Sequence, residues 1–274
     1  MWKGVVLRFH KFFAIFALFC AVFLFNGIKA SAASTFYKDN ENGVITITYN
    51  NKSNAKMKVA VSKGTETYYY NLGNGKNELD IPLNMGNGSY KIRICKNITG
   101  TKYSVIQSST IELDLSDEDE VFTYSNVIVN FESTDAAIKK AASLTKYCKT
   151  DAEKVKKIYE YIVKNFKYDY DKLESLSSGY IPDIQVVYKN KKGICYDLSA
   201  IMASMLRSQG IKVKLVTGYT PNIDTYHAWN AVYDAKAKKW YTIDTTYDVA
   251  MYKAGKKYSM KKNAKDYTDV KYQY

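Results

Sequence analysis

Histidine is almost absent from this 274-residue chain, which has two, His10 and His227. Cysteine is scarce too. With Cys20 set aside inside an N-terminal apolar run, Cys95, Cys148 and Cys195 remain, and an odd count leaves at least one thiol unpaired within the chain. The apolar run, Phe12 to Phe25, is shorter than the roughly 20 residues a membrane-spanning helix needs, so stable insertion in a bilayer is not expected. There is no internal repeat, no compact Arg/Lys block and no nucleic-acid motif. The formal charge of +13 is spread along the chain as lysine and reads as solvated faces, with nucleic acid not expected as a partner. The acidic run Asp114 to Glu120 lacks the glycine and closing glutamate of an EF-hand loop, so it reads as a solvated linker. No metal and no cofactor are expected.

What is present begins with a leader. A basic start, the apolar run and the small-residue segment "KASAAS" match a secretory signal peptide over 1–32, with Ala30-Ser31-Ala32 as the cleavage site. Bulky Phe19 before Cys20 argues against a lipoprotein. Removing 1–32 takes away four basic residues and no acid, which lowers the charge to +9. A secreted or cell-wall-associated location is expected, with non-specific attraction to an anionic wall or membrane surface.

The remaining roughly 240 residues are enough for two ordinary domains. Over 33–124 "GVITITYN", "KMKVAVS", "SYKIRICK" and "STIELDLS" alternate apolar with polar residues between turn clusters. That pattern predicts an antiparallel β-sandwich, immunoglobulin-like, with Tyr68, Tyr69 and Tyr70 as strand packing. The second domain, 125–274, changes period. Helices are expected over 133–148 and 150–166. The second has a Thr150-x-x-Glu153 capping box and one apolar face formed by Val155, Ile158, Tyr159, Ile162, Val163 and Phe166. A third helix starts near Cys195 with the stripe Leu198, Ile201, Met202, Met205 and Leu206 and stops at Gly210. Three strands follow, "KVKLVTGY", "HAWNAVYD" and "KWYTIDTTYD". Helices before strands make this half α+β.

Cys195 falls at the start of the third helix, where free N–H groups and the helix dipole favour thiolate over thiol. Gly193 is expected to let the backbone turn into that helix. A buried structural cysteine fits the same position equally well. A thiol nucleophile needs a base within hydrogen-bond reach, and after the leader His227 is the only imidazole. Asp244 lies on the next strand in near-register with His227 across the turn at Ala237, so it could orient the ring. These residues predict a Cys195-His227-Asp244 triad.

The pieces "GICYDLSAIMASMLRSQGIKVKLVTGY", "YHAWNAV" and "KWYTIDTTYD", in that order, resemble the transglutaminase-like superfamily, whose core is related to papain. The resemblance implies Cys195 as nucleophile on an amide carbonyl, His227 as general base then acid, Asp244 as holder of the imidazole tautomer, and the Cys195 N–H as an oxyanion donor. For the second donor Tyr168, Tyr170 and Gln185 are candidates, each equally explained by packing or exposure. Trp229, Trp240 and Tyr226 are expected as core and pocket walls. The expected activity is acyl-enzyme chemistry on peptides or proteins, ending in acyl transfer or hydrolysis. A cysteine peptidase or amidase and a non-catalytic wall-binding module on the same fold are the alternatives. Cys95, on the polar face of its strand, and Cys148, at a helix end, are left as a potential disulfide.

Overall fold

The computed structural model describes residues 36–177 and 179–274; the expected signal peptide lies outside them. The N-terminal half is seven antiparallel strands, β1 (Tyr37–Asp39), β2 (Val44–Asn51), β3 (Met57–Lys63), β4 (Glu66–Leu72), β5 (Gly75–Pro82), β6 (Gly88–Thr99) and β7 (Lys102–Leu113). They form two sheets, ordered β1-β2-β5 and β4-β3-β6-β7. The alternation read from the sequence sets their inner faces. Ile45, Ile47 and Ile81 of one sheet and Val59, Val61, Ile92 and Ile94 of the other are buried in the same core, the pleat sending every second side chain inward. Cys95 points to the outer face yet is buried, beside Lys58 in register. The Lys58 ammonium lies 5.2 Å from the centre of the Tyr103 ring. Cys95, Cys148 and Cys195 are all free thiols, so no Cys95–Cys148 disulfide is formed.

The acidic linker is more than a solvated spacer. Asp117 pairs with Lys212, and Asp119 with Lys214 at 3.4 Å, while the Trp240 indole N–H donates to Asp119 at 3.4 Å. Such half-exposed pairs contribute little each, but they lay the linker against the C-terminal sheet, and Val121 and Phe122 bury beside them.

The C-terminal half is α+β. Its elements are α1 (Ala136–Thr145), α2 (Asp151–Asn165), β8 (Lys167–Tyr168), α3 (Tyr170–Glu174), α4 (Ile184–Asn190), β9 (Lys192–Gly193), α5 (Cys195–Arg207), β10 (Val213–Thr220), β11 (Ile223–Asp234), β12 (Lys239–Ile243), α6 (Thr245–Lys253) and β13 (Asp269–Gln273). Strands β12-β11-β10-β13 make one antiparallel sheet. The capping box of α2 is formed in both directions, and all six residues of its predicted face are buried. In contrast, α5 is not a one-sided helix. Every residue from Asp197 to Arg207 is buried, because small Ser199, Ala200, Ala203 and Ser204 allow α1, α2, α4, α6, β10 and β11 to close around it. The segment Thr245 to Asp248, read as a continuation of the last strand, is instead the first turn of α6, with Asp244 as its cap. Its β-branched residues resemble strand, but the Asp244 carboxylate accepts the Tyr247 N–H at 2.9 Å and starts a helix there.

One hydrophobic cluster runs from the sandwich through the helices to the C-terminal sheet. Tyr68 of β4 stands edge-on to Tyr272 and Tyr274, with ring centroids 5.2 and 5.6 Å apart. Its hydroxyl accepts the Gln273 N–H at 3.2 Å. Among the described residues no helix is long and apolar enough to cross a membrane.

Candidate active site

Cys195 is the first residue of α5 and is only partly buried, so the most enclosed helix carries this sulfur at its open end. Asp197, two residues on and fully buried, fixes the turn before it. Its carboxylate accepts the Ile194 N–H at 2.9 Å, pairs with the Lys172 ammonium at 2.6 Å and accepts the Tyr180 hydroxyl. This ties α3 and the segment after it to the base of the nucleophile helix. Gly193 is needed here for room and not for an unusual turn. A Cβ on it would come within 2.6 Å of the Asp197 side chain, and its φ is not in the left-handed region.

His227 sits on β11 opposite Gly218 of β10 and is 2% exposed. Its Nε2 lies 2.8 Å from Asp244 Oδ2, and its ring stacks on Trp229 at 6.2 Å between centroids. Cys195 lines the same cleft as His227 and is near enough to raise the imidazole's pKa. The structure therefore brings the three predicted residues together, with the imidazole held by the carboxylate. The route differs from the expected one. The last residue pair between β11 and β12 is Asn230 with Ile243, so Asp244 lies just past the strand and reaches His227 from a helix cap, not from a facing strand position.

Asp244, fully buried, receives three donors: His227, the Tyr247 N–H and the Tyr267 hydroxyl at 2.9 Å. Tyr267 was not legible in the sequence. It follows a short 3-10 turn at Ala264–Asp266 and packs edge-on against Trp229 at 5.3 Å. Behind it Asp248 is buried with Lys262 and the Tyr159 hydroxyl, and burial pushes its pKa up to about 6 against those partners.

Burial disfavours the charged form of His227, but the hydrogen bonds to Asp244 and Cys195 and their charges outweigh it, and its pKa is pushed up to about 9. A histidine raised from the ordinary 6.5 stabilises the fold fully below about 6.5, and that contribution is lost as pH rises through about 9. We expect chemical denaturation to show the protein losing on the order of 2 kcal/mol between pH 6 and 9.5 relative to His227→Gln. Parallel curves for the two proteins would remove the ion-paired imidazole from the description.

Of the three candidates for a second oxyanion donor, the fold brings one near Cys195. Parallel pairing of β8 with β9 sets Tyr168 beside Gly193, two residues before the sulfur. Burial and the neighbouring Cys195 charge push the phenol up to about 12, so it keeps its proton. Tyr170 is 68% exposed, and Gln185 is exposed on α4. Trp229 is a buried wall of the site, Tyr226 lines the cleft, and Trp240 packs on Phe122 away from it. No cluster of three or more His, Cys, Asp or Glu side chains suited to a metal occurs among the described residues.

Residues 138–245 match the family model of the transglutaminase-like superfamily. This segment, which holds all three triad positions, belongs to that superfamily. Solved structures to which this chain is similar include a TGase, 24% identical over 40% of this chain and 30% of that one with a TM-score of 0.32. The periplasmic domain of TgpA from Pseudomonas aeruginosa is 14% identical over 77% of this chain and 74% of that one, with a TM-score of 0.35. The transglutaminase of red sea bream is 11% identical over 74% and 48%, with a TM-score of 0.30. The chain therefore spans well under two thirds of both transglutaminase structures. No curated protein matches the sequence significantly.

Proposed function

We propose that this protein is an exported thiol enzyme that cleaves amide bonds of peptides or proteins through an acyl-Cys195 intermediate. The observation that carries the reading is a buried His227–Asp244 pair standing beside Cys195 in one cleft, with the sulfur side open and the carboxylate side sealed. In the first step the Cys195 sulfur attacks the carbonyl carbon. A C–S bond forms and the π pair moves to oxygen, which the Cys195 N–H and the Tyr168 hydroxyl receive. The C=O bond re-forms as the C–N bond breaks, and the leaving amine takes its proton from His227. In the second step an amine or water attacks the thioester, gives its proton to His227 and releases the sulfur. Asp244 positions the ring throughout. The aromatic surroundings of His227, including Trp229, limit water, which favours an amine as acceptor. A cysteine peptidase results where water reaches the thioester instead. Export rests on the leader over 1–32, and the basic charge suits an anionic wall.

Iodoacetamide at neutral pH is expected to label Cys195 much faster than Cys95 or Cys148 in the folded protein, and peptide mapping that found it the slowest of the three would overturn the nucleophile. Incubation with casein and a fluorescent primary amine, alongside Cys195→Ala, separates the two fates. Cys195-dependent amine incorporation marks transfer, and peptide release without incorporation marks hydrolysis. Neither product across varied substrates returns the fold to a binding role.

A further inference from the structure

The cleft at Cys195 has a volume of about 690 Å³ and is walled by α3 and the segment after it, the start of α5, β10, β11 and β13. Asp, Glu, Lys and Arg make up 24% of the chain, yet none is among its fourteen lining residues. Chance placement would put roughly three there, so among the described residues the wall is kept free of Asp, Glu, Lys and Arg. The lining is instead aliphatic and phenolic, with Leu173, Leu176, Tyr180, Tyr196, Tyr226 and Tyr272 among its large side chains. Several of these stay open to solvent: Leu173 is 46% exposed, Leu176 41% and Tyr226 46%. Leucine and tyrosine surface gathered around a reactive sulfur marks a place where something apolar is to be covered.

The neighbouring charges are also held out of the cleft. Lys172 precedes Leu173, but its ammonium is bound to buried Asp197 and to the Tyr180 hydroxyl, so it cannot receive an acidic ligand. A second cavity of about 570 Å³ shares Tyr226 and Tyr272 with the first and is closed on its far side by Glu66, Thr67 and Tyr68 of β4. Charge enters only there, with Glu66 and with Lys271, which pairs with Asp269 at 2.6 Å.

We infer that the cleft selects polypeptide segments with a large neutral side chain, aromatic or branched aliphatic, beside the reacting amide, seated against Leu173, Leu176 and Tyr226, the chain continuing towards the sandwich across Tyr272. This rests on the acyl-enzyme reading for which bond reacts, but not for what binds. Burying one such side chain removes apolar surface from water and favours binding; an Asp or Lys in its place would lose water with no partner.

The test uses Cys195→Ala protein, which binds without reacting. Blocked hexapeptides identical except for a central Phe, Leu, Asp or Lys are titrated by calorimetry, with a chitin tetrasaccharide as a further ligand. The Phe and Leu peptides are expected to bind at least about tenfold tighter than the Asp and Lys peptides. Leu176→Asp in the same protein should erase that preference and Leu176→Met should keep it. Equal affinities, preference for either charged peptide, tighter binding of the saccharide, or no measurable binding of any peptide would each overturn the inference. Failure of iodoacetamide to reach Cys195 in the unmutated protein would overturn the thiol mechanism instead, and leave the affinity ratio readable.

Discussion

Asp244→Asn is expected to lower amide turnover by about a thousand- to ten-thousand-fold while leaving the fold in place. The carboxylate accepts a proton-bearing Nε2 from His227 at 2.8 Å, which leaves Nδ1 free to take the thiol proton. An asparagine can offer its N–H₂ to Nε2, and the ring then carries its proton on Nδ1, facing the sulfur it should deprotonate. The variant also loses the charge that balances the imidazolium. Stability at neutral pH should fall by on the order of 2 kcal/mol with the lost ion pair, but the helix cap is kept, because asparagine caps helices as well as aspartate does and can still accept the Tyr247 N–H. Turnover of a casein-derived substrate measured beside a thermal melt reads both halves. Near-normal turnover in a folded Asp244→Asn protein would remove Asp244 from the mechanism. Tyr267, which donates to the same carboxylate oxygen, is a positioning residue by this argument.

Arg207→Met is expected to cost stability far more than activity, by roughly 3 kcal/mol or more. The guanidinium is 2% exposed and has no acidic side chain among its partners. It donates instead to main-chain oxygens, to Val213 at 2.9 and 2.7 Å, to Tyr124 at 2.8 Å and to Tyr274 at 2.7 Å. Burial pushes its pKa down to about 9, which still leaves it cationic at neutral pH. Removing it takes a donor from each of those oxygens, the Tyr274 oxygen keeping the Leu215 N–H at 2.9 Å, at the point where the linker, the end of α5, the start of β10 and the end of β13 meet. Arg207→Lys should recover only part of the loss, since one ammonium cannot reach oxygens spread around a planar fork. Denaturant titration decides it; a loss below about 1 kcal/mol would mean that water replaces the fork.

What the sequence revealed depended on how local the signal was. The face of α2 and its capping box were legible because every partner lies within four residues of the next. The sandwich strands were legible because alternation is a nearest-neighbour property. Cys195 and His227 stood out through scarcity, the one by the odd count and the other by being alone after the leader. Asp244 was found through a register argument, although its place is a helix cap. The turn Asp244 to Tyr247 carries the cap signal, but Thr245 and Thr246 mask it by looking like strand. Tyr267, Tyr168 and Arg207 were out of reach or undecided, because their roles come from pairings with residues tens of positions away. The burial of α5 on every side was hidden for a related reason. Serine and alanine read as a polar or neutral face until neighbours are close enough to need their small size.

That last feature bears on how the enzyme should age. A sulfur on a flexible loop can drift out of line long before a protein unfolds. Here the sulfur is fixed to a helix held by seven other elements, with Asp197 and Lys172 clamping its root. Fraying at the surface leaves such a helix undisturbed, since it opens only with the core as a whole. Heat should therefore spoil the chemistry and the fold at one temperature, with no inactive but still folded form in between.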